Sequence, residues 1–196
     1  MNREHLNELL YQAIETELAG EKLYRAAIVS AVNTDLAKEW KTYLEETLQH
    51  QQILRSLFKV AGIDIDTETI GRLAVRAKGA ALVAAVKAAR VADPLIGELV
   101  AAESVVEAES KDHHNWELLG RMAEHVDGPL GDALREAYDE VGEQEAEHLF
   151  HTMGWARELW LDYLGLPAVL PPPEEQKSVK TQIGAGRAEK AREDFL

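Results

Sequence analysis

The stretch LREAYDEVGEQEAEHLFHTMGWARELW, residues Leu134 to Trp160, carries the pattern that decides the fold. Placed on an α-helix, it forms one stripe whose members are three or four residues apart. The stripe is apolar or aromatic at both ends and has a carboxylate and an imidazole at its centre. Its members are Leu134, Tyr138, Val141, Glu145, His148, Thr152, Trp155 and Leu159.

Glu145 and His148 project from the same side of this predicted helix, because they are three residues apart. A carboxylate in a buried stripe needs a partner or a proton, since burying it alone costs several kcal/mol. The spacing suits two ligands of one metal ion. The alternative is a surface-facing Glu145 beside a core histidine with a satisfied hydrogen bond.

The composition limits the classes of site and partner. The chain has 196 residues, enough for one well-buried domain and a tail. It has no cysteine, which excludes disulfides, thiolate zinc sites and iron–sulfur clusters, so carboxylates and imidazoles must hold any metal. The net charge of −14 argues against general affinity for nucleic acids or anionic membranes. Without an apolar leader or a run of membrane-spanning length, we expect a cytoplasmic protein.

Helical periodicity dominates the chain, and no convincing strand alternation appears. We therefore predict an all-α four-helix bundle over residues 1–166. Asn33, Thr34 and Asp35 are expected to form a turn and cap, with Thr34 or Asp35 starting the second helix. Asp93 is expected to cap the third helix, with Pro94 in its first position. The four predicted helices span about Arg3–Ser30, about Leu36–Val60, Pro94 to about His125, and the stretch that follows Gly128-Pro129.

The segment Ile70–Ala92 lies between the second and third helices of the bundle. It is rich in alanine and valine and has five cations but no acid: Arg72, Arg76, Lys78, Lys87 and Arg90. Such a basic helix could lie on a membrane or a nucleic acid. The alternative is a crossover helix whose cations match acidic neighbours. A crossover here lets the helices on either side of it run parallel, as ferritin-like bundles require.

Acidic and imidazole positions fall at matching depths in the two helical hairpins. Because the rise per residue is constant, residues equally far from a hairpin turn lie at the same height. Each hairpin then places a lone glutamate opposite a Glu/His pair, and two divalent cations would balance the four acids. The predicted metal ligands are Glu17, Glu46, His50, Glu109, Glu145 and His148. Oxygen-rich ligands without thiolate favour iron or manganese over zinc.

From Asn7 to Leu164 the chain resembles the ferritin-like superfamily of ferritins, rubrerythrins and di-iron hydroxylases. The run from Glu145 to His148 is similar to the Glu-x-x-His motif of that family. In the family, an aromatic residue commonly follows each lone glutamate after seven positions. Tyr24 follows Glu17 in this way and Trp116 follows Glu109, which favours these two acids over their neighbours Glu21 and Glu107.

The resemblance implies a dinuclear iron or manganese site that reacts with dioxygen or peroxide. The outcome would be iron oxidation, peroxide removal or substrate hydroxylation. The chain departs from the family in the second helix, where Thr47 stands at the glutamate position and Glu46 lies one residue early. It therefore uses Glu46 in a shifted geometry, binds one metal, or binds none well.

Two other functions compete with this interpretation. One is a metal-free bundle that acts as a structural or interaction protein through its helix surfaces, a reading that Thr47 supports. The other is a tRNA-modifying di-iron hydroxylase, which the basic crossover and the following DPLIGELVAAESVVEAES, residues 93–110, distantly resemble. The acidic net charge argues against a polyanionic substrate.

The C-terminal residues 167–196 are rich in proline and polar residues and are predicted to form an extended or disordered tail. The end of the preceding helix is unusually apolar, which predicts a homodimer through helix ends or the tail. The alternative is that the crossover helix covers this patch within one chain. The patch comprises Trp155, Trp160, Leu161, Tyr163 and Leu164.

Overall fold

A computed structural model describes residues 2–196 and is all-helical, without a strand in that range, which confirms the predicted all-α class. No helix within those residues combines the length and apolar character needed to cross a membrane. The helices are α1 (Arg3–Ser30), α2 (Thr34–Ala61), α3 (Ile70–Ala92), α4 (Pro94–Ala123), α5 (Pro129–Tyr163), α6 (Pro173–Gln176) and α7 (Gln182–Lys190), with a final 3₁₀ turn at Arg192–Phe195.

Four long helices form a ring in the order α1, α2, α5, α4, and each packs against its two neighbours. Short connections make α1–α2 and α4–α5 antiparallel hairpins. Helix α3 runs back along α1 and α4 before the chain enters α4. As a result, α2 and α4 run in the same direction on opposite corners of the bundle, and side chains from all four helices can meet on its axis.

Side-chain caps fix where the helices begin. The Asn33 carboxamide accepts hydrogen bonds from the backbone N–H groups of Asp35 at 2.9 Å and Leu36 at 3.2 Å. Asn33 therefore caps α2 and Thr34 begins it, which agrees with the predicted turn and cap at Asn33, Thr34 and Asp35. Asp93 caps α4 as predicted, with Pro94 in the first helical position.

The core consists of two apolar layers with a band of buried polar side chains between them. Burying each large apolar side chain contributes about 1.5–3 kcal/mol, so these two layers stabilise the bundle. They also separate the polar band from water. One layer, near the start of α1, includes Leu10, Ile14, Leu54, Phe58, Leu119 and Leu134. The other, near the α1–α2 turn, includes Leu23, Leu36, Trp40, Leu99, Val105 and Trp155.

Helix α3 packs closely on α1 and is anchored by an ion-pair cluster. A Cβ built on Gly79 would lie 2.5 Å from the Cβ of Ala19, so only glycine allows this approach. Buried Glu15 accepts from Arg72 Nε at 2.8 Å and from Arg76 Nε at 2.8 Å. Arg72 also donates to the backbone carbonyl of Thr67 at 3.1 Å. These contacts match the interpretation of Ile70–Ala92 as a crossover helix packed on the bundle.

The tail differs from the extended or disordered segment that its composition predicts. Arg157 on α5 makes two parallel hydrogen bonds to buried Glu174, at 2.8 and 2.9 Å. Arg192 donates to the fully buried Glu158 at 2.8 Å, and the N–H of Val169 also donates to Glu158 at 2.8 Å. The polar residues of the tail therefore have buried ionic partners on α5, which composition alone does not reveal.

The apolar end of α5 is covered only in part. Trp155 is buried and donates through Nε1 to Glu175 of the tail. Trp160, Tyr163 and Leu164 remain 37%, 48% and 63% exposed. Thus the tail, and not the crossover helix, shields part of the predicted dimer surface.

We expect Glu15→Gln to destabilise the protein by about 3 kcal/mol, because it leaves the buried Arg72 guanidinium without a carboxylate. Glu68→Gln removes only an exposed partner of Arg76 and should cost less than about 1 kcal/mol. Urea unfolding measures both changes. Equal effects of the two substitutions would contradict the anchoring role of Glu15.

The contribution of Glu15 should also depend on pH. Burial alone would raise the pKa of Glu15, but the hydrogen bonds and charges of Arg76 and Arg72 outweigh burial and lower the pKa below its usual 4.5. A lowered folded-state pKa means that the stabilisation is present above pH 4.5 and is lost as the pH falls through the folded value. The stability difference between wild type and Glu15→Gln should therefore shrink in acid.

Candidate metal centre

The polar band between the two apolar layers receives side chains from all four long helices. Glu17 comes from α1, His50 from α2, Glu109 from α4, and Glu145 and His148 from α5. Each of the five is at most 4% exposed. Because water cannot reach these groups, their charges must be neutralised by one another, by protons or by cations.

The donor atoms of this band form two groups that share one residue. In each group, one nitrogen or oxygen from every member lies within 4.8 Å of the others. The first group is Glu17, His50 and Glu145, and the second is Glu109, Glu145 and His148. Glu145 belongs to both, so the two groups are adjacent.

Each histidine directs Nδ1 toward the acids and Nε2 away from them. His50 Nδ1 lies 3.0 Å from Glu145 Oε1 and 3.3 Å from Glu17 Oε1, while its Nε2 is 2.8 Å from Gln144 Oε1. His148 Nε2 is 2.7 Å from Glu46 Oε2. With Nε2 donating to an oxygen, a neutral ring presents the Nδ1 lone pair inward. This arrangement is typical of metal-binding histidines, whose second nitrogen is held by an acceptor.

Five buried donor atoms of the band lack a hydrogen-bond partner among residues 2–196. Some of them lie near an opposite charge, but none meets hydrogen-bond geometry. Buried polar atoms in native proteins are almost always paired, so this many unpaired atoms facing one another fits a cation between them. The atoms are Glu17 Oε2, His50 Nδ1, Glu109 Oε2, Glu145 Oε2 and His148 Nδ1.

The crowded acids shift the pKa values of their neighbours. Burial raises the pKa of the Glu145 carboxyl to about 7; His50 opposes this rise, while Glu109 and Glu17 add to it. Burial alone would lower the pKa of His148, but Glu109 and Glu46 outweigh burial and raise the pKa to about 10. Without a metal, the band therefore retains protons near neutral pH, and metal binding would have to displace them.

Aromatic residues surround the band and orient it. Trp116 Nε1 donates to Glu17 Oε1 at 2.9 Å, which fixes one carboxylate oxygen and leaves the other free. The Tyr43 ring lies 4.1 Å from the His148 ring, centroid to centroid. The Tyr43 hydroxyl contacts His151 Nδ1 at 2.9 Å. These contacts restrict the side chains whose donor atoms converge.

The structure brings together five of the six predicted ligands and leaves Glu46 outside both groups. Glu46 is 22% exposed and contacts the outward nitrogen of His148, so it holds a histidine instead of facing the band. The Thr47 hydroxyl donates to the backbone carbonyl of Tyr43 at 2.8 Å. Helix α2 therefore contributes only His50 to the two groups.

The two alternative acids also lie outside the groups. Glu21 is paired with Arg25 at 2.9 Å and accepts from Gln51 at 3.1 Å. Glu107 is exposed on the outer face of α4. The choice of Glu17 and Glu109 over these neighbours thus agrees with the geometry.

Asp112 is the buried acid of this region that the sequence interpretation missed. It is 5% exposed, lies one helical turn beyond Glu109, and its Oδ1 has no partner in the part of the chain described. Burial and the charges of Glu17, Glu145 and Glu109 raise the pKa of Asp112 well above its usual value. A stripe in steps of three and four from Glu109 to Trp116 passes through either Asp112 or His113, so it does not single out Asp112. The spacing Glu109-x-x-Asp112 repeats Glu145-x-x-His148 and could have revealed it.

Comparisons of the chain with protein-family models, with curated proteins and with solved structures gave no match.

Glu145→Gln should stabilise the metal-free protein, because it removes one of the crowded carboxylates. The pKa of Glu145 in the folded protein is about 7, above the usual 4.5. As the pH rises from 4.5 to 7, the unfolded chain loses this proton before the folded protein does, so the free energy of unfolding falls. We expect a gain of about 1–3 kcal/mol near pH 8, which disappears below the usual pKa. Urea unfolding in chelator measures this.

The matched control is Glu140→Gln, which removes an exposed acid from the same helix and should change stability by less than about 0.5 kcal/mol. If Glu145→Gln lowered the stability of the metal-free protein, crowding of the buried acids would be the wrong description of the band.

Proposed function

We propose that this chain is a ferritin-like protein that binds two divalent iron or manganese ions in the polar band. One ion would lie in the Glu17/His50/Glu145 group and the other in the Glu109/Glu145/His148 group. The observation that carries the proposal is the convergence of unpaired, buried donor atoms into two groups that share Glu145. A shared carboxylate is the natural bridge between two adjacent ions.

The donor set favours iron or manganese. Each group combines carboxylate oxygens with one imidazole nitrogen, and the chain has no thiolate to offer. Such sites suit iron and manganese, whereas zinc favours fewer ligands in a tetrahedron. Each carboxylate can supply two oxygens, so the shared Glu145 can contact both ions.

The topology supports the ferritin-like assignment. Two antiparallel hairpins joined by a long crossover place one acid-bearing helix of each hairpin against the other hairpin. Trp116, seven residues beyond Glu109, contacts Glu17 of the other hairpin and so links the two halves of the centre. This is the arrangement in which bundle cores hold paired metal ions.

The proposed chemistry is a reaction of the reduced metal pair with dioxygen or peroxide. When bound, the metals would supply the electrons, and the outcome would be iron oxidation, peroxide removal or hydroxylation of a substrate. The protein contributes a dry enclosure and fixed ligands. Glu46 holds His148, Gln144 holds His50, and Trp116 holds Glu17. Partners of this kind raise metal affinity by orienting the ligands.

Two observations bear on the alternative functions. A metal-free structural bundle would keep unpaired donor atoms in its core without compensation, which the buried acids elsewhere in the chain avoid. A tRNA-modifying hydroxylase would need free cations on α3. Arg72 and Arg76 are engaged by Glu15. That leaves Lys78, Lys87 and Arg90 for such contacts. The first observation favours the metal-binding proposal over a metal-free bundle, and the acidic net charge argues against a polyanionic substrate.

Anaerobic titration with ferrous ion should give two ions per chain, measured by elemental analysis after equilibrium dialysis. Glu145→Ala should lose both ions, because it removes the shared ligand, whereas His50→Ala should lose one. His114→Ala, which removes an exposed histidine of α4, is the control and should retain two. Oxygen-dependent oxidation of ferrous ion should follow the same order. A wild-type chain without bound iron or manganese would refute the proposal.

We also propose that the chain forms a homodimer through the exposed end of α5, where Trp160, Tyr163 and Leu164 remain uncovered. Light scattering at micromolar concentration should give twice the mass of one chain. Replacing Tyr163 and Leu164 together with serine should give a monomer, whereas Leu73→Ser on exposed α3 should not. A monomeric wild type would contradict this proposal without affecting the metal centre.

A further inference from the structure

Asp112 lies on α4 between residues that belong to both halves of the proposed centre. Glu109, one turn before it, is a member of the second donor group. Trp116, one turn after it, donates to Glu17 of the first group at 2.9 Å. Residues three and four apart share a helix face. Asp112 therefore faces the polar band at a height between the second group and the Trp116 contact with Glu17.

Asp112 lies outside both donor groups, but its environment differs from that of the other buried acids of this chain. The side chain is 95% buried, yet Oδ1 has no hydrogen-bond partner within residues 2–196. Other buried acids of this chain are paired: Glu15 with two arginines, and Glu98 with the backbone N–H groups of Val32 and Asn33. An unpaired carboxylate among three others must be neutralised by a proton or by an external cation.

The charge balance of the band is complete only when Asp112 is counted. Glu46 lies outside the donor groups and is partly exposed. Without it, the inward-facing acids Glu17, Glu109 and Glu145 carry three negative charges, one short of two divalent cations. Asp112 supplies the fourth, and the two histidines can then bind as neutral ligands. Charge neutrality matters here because the band is closed to water.

We propose that Asp112 is the fourth carboxylate ligand of the centre and replaces, from α4, the acid that α2 lacks at Thr47. It would bind the ion held by Glu17 and His50, because Trp116 brings this stretch of α4 against Glu17. This inference rests on the proposed two-metal function. With Asp112 bound, the two ions would have different ligands: Glu17, Asp112 and His50 for one, Glu109 and His148 for the other, and Glu145 for both.

The test is ferrous and manganous binding to the full-length protein, by anaerobic equilibrium dialysis with elemental analysis. Asp112→Asn keeps the shape of the side chain but removes its charge. One ion should bind at least about tenfold more weakly than in wild type, and the other should be nearly unchanged. Glu107→Gln, which removes an exposed acid from the same helix, is the matched control and should bind both ions as wild type does.

A second readout does not need metal. In chelator, Asp112→Asn should unfold at higher urea concentration than wild type, because it relieves repulsion in the band, whereas Glu107→Gln should not. Asp112→Ser removes the same charge with a smaller side chain and replaces the asparagine variant if that variant does not fold.

The outcomes separate the two proposals. If wild type binds two ions and both Asp112 variants also bind two with unchanged affinity, Asp112 is a neutral core acid; the ligand assignment is then overturned and the two-metal function stands. If wild type binds no iron or manganese, the proposed function fails and the inference fails with it. Selective loss of one ion in the variants supports both.

Discussion

Mutual repulsion of acids in a dry layer is the constraint on which this structure depends. Glu17, Glu109, Asp112 and Glu145 are buried in one band, and hydrophobic layers above and below exclude the water that would screen them. Those layers and the helical hairpins hold the acids at one height despite the cost. The fold is thus stable only to the extent that protons or cations neutralise this band.

The rest of the protein shows how this chain treats a buried acid when no external ligand is involved. Glu15 is paired with Arg72 and Arg76, and Glu158 with Arg157 and Arg192. The pairs of Glu15 also fix α3 against the bundle, and the pair of Glu158 with Arg192 fixes the tail. The central band has two histidines but no arginine among the described residues. This contrast within one chain is a stronger argument for a metal than the acidic cluster alone.

Local patterns predicted the fold better than they predicted the details of the site. The bounds of α1 and α3 follow from periodicity and nearby caps, and five of the six residues chosen by matching depth lie in the two donor groups. Adjacent residues lie about 100° apart around a helix. A stripe whose members are three or four residues apart can therefore pass through either of two neighbours, Glu46 or Thr47 on α2 and Asp112 or His113 on α4. The tail folds because its residues pair with side chains on α5, and the sequence of residues 167–196 alone does not reveal those partners.

The division of the ligands between two hairpins has a consequence for the order of folding. Each hairpin is built from contacts close in sequence, whereas Glu17 and Glu145 meet only when the hairpins dock, after a loop of more than a hundred residues closes. Docking is also the event that concentrates negative charge on the bundle axis. Under the proposed metal binding, docking would be the slow step in a metal-depleted chain, and divalent ions would act on the rate of assembly as well as on its final stability.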